Sequence, residues 1–406
     1  MKKVVALMLA GGRTEHYGVL TRNRPKAALT FAANYRVADF ALSNLCNSHI
    51  EQIGIIIQYL PGSLIGHVGV GRHWDLEGYG RVLKIMPPFV GIQKTEWYKG
   101  TADALHQNMN FVEDMKPEHV IVLSGEHVYH LDFADVARAH RGSNADITFV
   151  TRDMPAAQCA KRYGYVVAGR DGRVTAFREK PATPPSTLVS TGIYVFKTGV
   201  LASLLEQNAP SQEHNLARDV LEPHAGGFDS RIYMMPGNWE YMETVKDYYD
   251  LQFRMMFGEG LKQMRQWRLL TNLEYRGVGF KPPVYYGPGA QVTDMAAGAG
   301  CHIEGTVERS ILSPGVRVGR RAIVRDSILM HDCVVEEDAR VCGVIADKDA
   351  RFMPGCRVGA GQSDDSGQSE ALAGFGGLTL VGKGAVVPEN AVIPRGAQIQ
   401  PKRVFV

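Results

Sequence analysis

The sequence predicts an α/β doubly wound parallel sheet in its first half, followed by a β-helix built on a six-residue repeat. Three observations carry that expectation. Short Val- and Ile-rich runs alternate with helical patterns up to about residue 150. A glycine turn follows the first run. From about residue 282, a small apolar residue returns every six positions.

The strand-like runs are "VVALMLA" (4–10), "QIGIIIQY" (52–59), "HVIVLSG" (119–125) and "ADITFVT" (145–151). Between them, "DFALSNLCNS" (39–48), "TADALHQNMNFVEDM" (101–115) and "DFADVARAHR" (132–141) place apolar residues three and four apart, the helical period. In an open α/β sheet, ligands bind beyond the carboxyl ends of the strands, where Gly11-Gly12, Gln58 and Gly125-Glu126 fall. The stretch 9–29, "LAGGRTEHYGVLTRNRPKAAL", opens like a phosphate-binding loop and then places bulk and a negative charge, Thr14-Glu15-His16-Tyr17, where a nucleotide needs bare backbone.

The six-residue period is clearest in Val381, Val387, Ile393 and Ile399, with Ala385, Ala391 and Ala397 in phase. Leu312, Val318 and Val324 repeat it, as do Leu329, Val335 and Val341, and Phe352 and Val358. Each hexad fits one flat side of a triangular coil with its apolar residue turned inward. Breaks at 344–351 and 360–379 read as looped-out insertions. A long helical pattern at 242–265 and a coil at 275–283 join the two regions. The domain expectation is therefore 1–250, a helical linker 251–283, and the repeat domain 284–406.

An apolar fraction of 45% and a charged fraction of 21% are ordinary for a globular chain with a large core. A net charge of +3 is too small to point to nucleic acid or a membrane surface. No apolar run is long enough to span a bilayer. The opening "MKKVVALMLAGG" pairs basic residues with an apolar run as a secretion signal does, but the run is short and enters a glycine turn, so it reads as a strand. Cys46, Cys159, Cys301, Cys333, Cys342 and Cys356 lack metal-ligand spacing and are expected to be reduced thiols in the cytoplasm.

Seven segments carry a resemblance over nearly the whole chain: "YRVADFALSNLCNSHI" (35–50), "GRHWDLEGYG" (71–80), "EWYKGTADAL" (96–105), "VLSGEHVYHLDF" (122–133), "FREKPATPP" (177–185), "STGIYVF" (190–196) and "EHNLARDVLEP" (213–223). Together they resemble the ADP-glucose pyrophosphorylase (glucose-1-phosphate adenylyltransferase) family. The resemblance implies a nucleotidyltransferase-type, GT-A-like and Rossmann-like sheet followed by a left-handed parallel β-helix. It also implies the Mg²⁺-assisted joining of glucose 1-phosphate to ATP, giving ADP-glucose and pyrophosphate, and assembly as a tetramer. Catalysis of that kind is positioning plus charge neutralisation.

By position, the resemblance implies a nucleotide cradle at Gly11, Gly12 and Arg13, with Lys26 reaching the phosphates. It implies an adenine side at Gln58, Trp97, Gly100, Thr101, Ala102 and Asp103. It places glucose 1-phosphate at Tyr98, Gly164, Glu179, Lys180 and Ser190, with Lys180 on the phosphate and Glu179 on the sugar hydroxyls. Arg36 is the effector candidate and Glu126 the metal carboxylate. Each has a plainer reading: Gly11-Gly12 as a turn, Lys26 as a surface charge, Trp97 and Tyr98 as core aromatics, Glu179-Lys180 as an exposed loop pair. His127 and His130 read as packed or solvated rather than as a metal pair. His302 and His331 would suit an acyltransferase, but hexapeptide coils also serve assembly alone.

The chain departs from the family on one side. Active members read GGRGxRL, and here Thr14 and His16 replace the third glycine and the arginine. A Cβ obstructs backbone approach to phosphate, and an imidazole lacks the permanent guanidinium charge. The family's "FGGKYR" glycines are Ala32-Ala33. The strand-end aspartate is Glu126, and the second metal aspartate, in "WxDVGT", is Tyr241. A neutral phenol is a poor Mg²⁺ ligand. The sugar-phosphate positions are intact. The expectation is a catalytically impaired regulatory chain that binds sugar phosphate, with ATP or ADP-glucose bound weakly, in a homo-oligomer or in a hetero-oligomer with a catalytic homologue. The alternative is an active enzyme with its Mg²⁺ site rebuilt around Glu126 and Glu240 or Glu243.

Overall fold

A computed structural model describes residues 4–12, 14–88, 97–155, 161–360 and 375–402. Arg13, Cys159 and most of the 360–379 interruption lie outside them. The chain divides into two compact units: Met1–Gly12, Ala38–Pro61 and Val68–Glu240 form the first, and Arg13–Val37, Gly62–His67 and Tyr241–Val406 the second.

In the first unit, the strand Val4–Leu9 pairs in parallel with Gln52–Ile56 on one side and His119–Ser124 on the other. Val82–Met86 extends the sheet beyond Gln52–Ile56, also in parallel. The chain thus runs outward from Val4–Leu9 and then crosses back to its other side, which makes the carboxyl ends of Val4–Leu9 and His119–Ser124 the switch point of the sheet. Beyond it the sheet is mixed rather than parallel: Leu188–Lys197 runs antiparallel to His119–Ser124 and to Ile147–Asp153. The antiparallel pair Gly164–Ala168 and Val174–Glu179 forms the far edge. Helical periodicity locates Val37–Asn47 and Phe133–Gly142 closely. The predicted 101–115 helix is broken at Asn108 into Thr101–Gln107 and Met109–Met115. Asn108 turns its amide to the Ala104 carbonyl (2.8 Å) and the Tyr98 hydroxyl (2.9 Å), a local competition that Asn offers a helix backbone.

The second unit contains the β-helix. Its three flat sides are stacked in parallel, with Val318, Val335, Phe352 and Val387 in register on one side. Val307, Val324, Val341, Val358 and Ile393 line the second. Leu312, Leu329, Ala346, Val381 and Ile399 line the third. Most of these side chains are wholly buried in one continuous core. The expected looping-out of 344–351 is corrected by this register. Val344–Ala346 is a buried strand between Ile328–Leu329 and Thr379–Val381. In three successive coils the step onto the third side is one residue shorter than a hexad (Val307 to Leu312, Val324 to Leu329, Val341 to Ala346), so the period shifts there without a loop.

The corners need left-handed backbone, which Gly, Asn and Asp tolerate best. One corner repeats Asp294, Arg309, Asp326 and Gly343, and another repeats Gly315, Asp332 and Asp349, all with positive φ. Arg309 lacks that tolerance and is tied down by Asp326 of the next coil.

The 242–265 pattern is also corrected: it forms two helices, Val245–Met256 and Gly258–Gln266, because Phe257 is extended and Gly258 left-handed. Thr244 and Asp247 close a capping box on the first. Its buried face anchors residues 14–37. Tyr248 donates to the Thr30 carbonyl, and Gln252 accepts the Ala32 amide at 2.9 Å. The expected coil at 275–283 begins as a short helical turn, Tyr275–Phe280. No helix among the described residues is long and apolar enough to cross a membrane.

Candidate functional site

In the first unit, the switch point collects Gly11, Gly12 and Gln58 of the predicted nucleotide residues. Ala10 donates to the Ile56 carbonyl (2.9 Å), Tyr59 to the Gly11 carbonyl (3.2 Å) and Gly125 to the Leu9 carbonyl (2.9 Å), so the turn after the first strand is tied to both neighbours. The two glycines of that turn differ. A Cβ on Gly11 would lie 2.3 Å from the Gln58 amide nitrogen, so this residue is required by the protein's own packing. Among the described residues, a Cβ on Gly12 would meet only Glu126 Oε1, at 3.9 Å. Gly12 therefore borders open space, with the Glu126 carboxylate across from it.

On the rim, Gly100 is held against the His214 carbonyl, which a Cβ would approach to 2.3 Å. His214 O accepts the Ala102 amide at 2.8 Å, and Thr101 Oγ1 accepts the Leu216 amide at 2.8 Å. Asp103 accepts the Lys99 amide at 2.8 Å and the Gln107 side chain at 2.9 Å. These bonds make 99–103 a built turn. Trp97 stands 69% exposed beside it. Gln58 donates to the Tyr98 carbonyl at 3.5 Å. Tyr98 itself is in the core, its hydroxyl donating to the Met86 carbonyl (3.4 Å) and accepting from Asn108. Its hydroxyl is thus engaged by the protein.

Those positions do come together. Gly164 and Glu179 are register partners in the edge hairpin. A Cβ on Gly164 would reach 2.5 Å from the Phe177 ring and 2.7 Å from Glu179 Oε2, so glycine makes room for the carboxylate. Burial raises the Glu179 pKa, opposed by Lys180 and Arg218 and reinforced by Glu222, whose carboxylate accepts the Glu179 amide at 2.9 Å. Lys180 is exposed on left-handed backbone (φ 48°), its amide donating to the Tyr163 carbonyl at 3.0 Å. Ser190 is buried at a bulge in its strand and donates to the Tyr194 hydroxyl at 3.2 Å. Burial, with Glu179 nearby, raises the Tyr194 phenol well above its usual range. Tyr194, Tyr163 and Trp239 were not legible as site residues. Only the position of Tyr194 within "STGIYVF" hinted at it.

Lys26, Arg36 and Tyr241 belong to the second unit. Lys26 is buried, with its ammonium 4.8 Å from the Tyr241 ring centroid and 5.5 Å from that of Tyr17. Tyr17 is held in turn by its hydroxyl on the Met242 carbonyl (2.9 Å). Arg36 is buried too, donating to Thr30 Oγ1 (2.8 Å) and the Tyr35 carbonyl (3.2 Å). Its charge, with those of Lys348 and Arg276, adds to burial in lowering the His331 pKa. Ala32 and Ala33, at the family's two glycines, both hold positive φ.

Magnesium asks for near-octahedral oxygen ligation, usually with one or two carboxylates among the ligands. The two-carboxylate site implied by the resemblance does not fit these residues. By the positions the resemblance implies, only Glu126 of the pair is a carboxylate, the other being Tyr241, whose ring is set against an ammonium. Of the two histidines beside Glu126, His127 is packed and His130 exposed, as expected. The five described cysteines are free thiols.

A switch-point sheet with a glycine turn, followed by hexapeptide coils, defines a class. Residues 5–255 match the nucleotidyl transferase family model, and residues 287–381 match that of the GlmU-like C-terminal hexapeptide. The chain is 34% identical over 406 aligned residues to the glucose-1-phosphate adenylyltransferase of Desulfitobacterium hafniense (strain Y51), covering 98% of both chains. It is 33% identical to that of Acetivibrio thermocellus over 405 residues, covering 98% of this chain and 93% of the relative. The corresponding protein of Thermotoga maritima is 34% identical over 407, covering 98% and 94%. The chain belongs to the glucose-1-phosphate adenylyltransferase (ADP-glucose pyrophosphorylase) family of nucleotidyl transferases.

Proposed function

We propose that this chain is a catalytically impaired, regulatory member of the family, acting in the synthesis of ADP-glucose for glycogen or starch. It binds glucose 1-phosphate or a related sugar phosphate and manages ATP and Mg²⁺ poorly. The observation that carries this reading is Tyr241, which stands at the family's second metal carboxylate with its ring 4.8 Å from the Lys26 ammonium. The position that should hold a cation by charge instead holds a side-chain cation by its π face. The cluster of Gly164, Glu179, Lys180 and Ser190 supports the other half of the reading, since a half-buried acid beside an exposed lysine suits hydroxyls next to a phosphate. Losing one placed electrostatic stabiliser typically costs about 10²–10³ in rate. Changes at Thr14, His16 and Tyr241 fall on the same side of the reaction. The chain assembles with a catalytic homologue, with Arg36 in the effector-linked segment.

The test is pyrophosphate release from glucose 1-phosphate, ATP and Mg²⁺ by the purified chain, alone and mixed with an active homologue. We expect little activity alone and an altered effector response in the mixture. Robust activity alone, abolished by Glu126→Ala, would overturn the proposal in favour of an enzyme with a rebuilt metal site.

A further inference from the structure

We infer that His127 is a positioning residue for the sugar-phosphate cluster, acting through the Trp239 indole. The inference rests on the sugar-phosphate half of the proposed function. All the groups involved lie in the first unit.

Trp239 Nε1 is 3.3 Å from His127 Nδ1. An indole nitrogen can only donate, so Nδ1 must accept, and the neutral ring carries its proton on Nε2. The two rings meet edge to face at 90°, with centroids 5.3 Å apart. Both residues are buried, so the bond fixes the indole's orientation where no water can replace its partner. The indole packs in turn on Tyr163, with centroids 5.5 Å apart. The Tyr163 carbonyl accepts the Lys180 amide at 3.0 Å. Lys180 sits at φ 48°, a backbone conformation that a lysine holds only when its surroundings impose it. Behind the imidazole, its Cε1 lies 3.5 Å from where a Cβ of Gly192 would stand, and the Gly192 amide donates to Ser190 Oγ at 3.3 Å.

His127 thus touches both flanks of the cluster: Ser190 through Gly192, and Lys180 through Trp239 and Tyr163. It also follows Glu126 directly in sequence. A shift of the strand end that carries Glu126 would pass through this histidine to the residues expected to grip the phosphate. His127 itself is not placed against substrate.

The experiment measures glucose 1-phosphate binding by calorimetry, together with the Trp239 indole N–H resonance in ¹⁵N-tryptophan-labelled protein, assigned with Trp239→Phe. Melting temperature reports folding. His127→Phe keeps a ring but removes the acceptor. It should move the indole resonance and weaken glucose 1-phosphate about tenfold, the loss expected for one buried hydrogen bond. His127→Asn, whose amide oxygen can stand in for Nδ1, should stay within about threefold of wild type. Trp239→Phe should weaken binding to a similar degree, and adding His127→Phe to it should cost nothing further, because the two act as one unit. Unchanged binding in His127→Phe, or losses that multiply in the double variant, would overturn the inference while wild-type binding upholds the proposed function. Should His127→Phe not fold, wild-type affinity in Trp239→Phe would overturn it equally. A wild-type chain that does not bind glucose 1-phosphate overturns the proposed function and this inference with it.

Discussion

Alanine at Gly11 and alanine at Gly12 should behave oppositely, although the two residues are adjacent. At Gly11 the new methyl would stand 2.3 Å from the Gln58 amide nitrogen and 2.8 Å from two backbone atoms of Ile57. Relief requires the turn to move about 1 Å away from the neighbouring strand end, against ordinary contact distances. Overpacking of that kind costs about 1–3 kcal/mol. The Tyr59 bond to the Gly11 carbonyl, already 3.2 Å long, would be lost as well, for about another 1 kcal/mol. The expected destabilisation is therefore about 2–4 kcal/mol. At Gly12 the methyl meets, among the described residues, only Glu126 Oε1 at 3.9 Å, and φ lies outside the left-handed region, so stability should change by less than about 0.5 kcal/mol. Urea denaturation of both variants reads the difference, and Mg²⁺-ATP titration reads the ligand side. Gly12→Ala should weaken whatever nucleotide binding the wild type shows, while its urea midpoint stays put. Equal destabilisation by the two substitutions would refute the assignment of Gly11 to packing and Gly12 to the ligand.

Three further outcomes are expected. Asp347→Ala leaves the buried Arg24 without the carboxylate it pairs with, and should cost about 3–5 kcal/mol in urea denaturation, whereas replacing both residues by apolar ones should cost much less. His140 is buried, with a pKa pushed down to about 4 chiefly by burial and then by the neighbouring His119 and Lys197. Its folded pKa lies below the unfolded value of about 6.5, so the unfolded chain binds more protons between those two pH values. Stability is then intact above about pH 6.5 and falls by up to about 3 kcal/mol toward pH 4, and His140→Gln should flatten that slope in denaturation curves taken at pH 7.5, 6 and 5. Tyr241→Leu removes the ring facing the buried Lys26 ammonium and should cost about 1–2 kcal/mol, while Tyr241→Phe keeps the π face and should stay near wild type; thermal unfolding distinguishes them.

Much of the architecture could be read from local pattern, because the pattern is a direct consequence of burial. A parallel strand covered on both faces must be apolar along its buried stretch, and 4–9, 53–56 and 120–123 are. A hexapeptide coil must turn one residue inward per side, and Val318, Val335 and Phe352 do so in register. The grouping of Gly164, Glu179, Lys180 and Ser190 came from the family resemblance rather than from periodicity, and strand pairing brings their segments together at one sheet edge.

Tertiary structure decided what each side chain faces. Tyr98 and Trp97 are neighbours in sequence, yet one is committed to the core through Asn108 and the other is exposed. Gly11 and Gly12 look interchangeable until the Gln58 backbone is seen beside only one of them. Nothing local to Lys26 announced that the rings of Tyr17 and Tyr241 would meet its ammonium, because Tyr241 is over two hundred residues away along the chain. The five-residue step from Val341 to Ala346, shared with Val307 to Leu312 and Val324 to Leu329, looked like an interruption at 344–351, since a one-residue deletion in a period of six is visible only when the next coil fixes the register. Periodicity is set by the solvent boundary and is written along the chain. Partnership is set by which segments meet across it, and only the folded backbone specifies that.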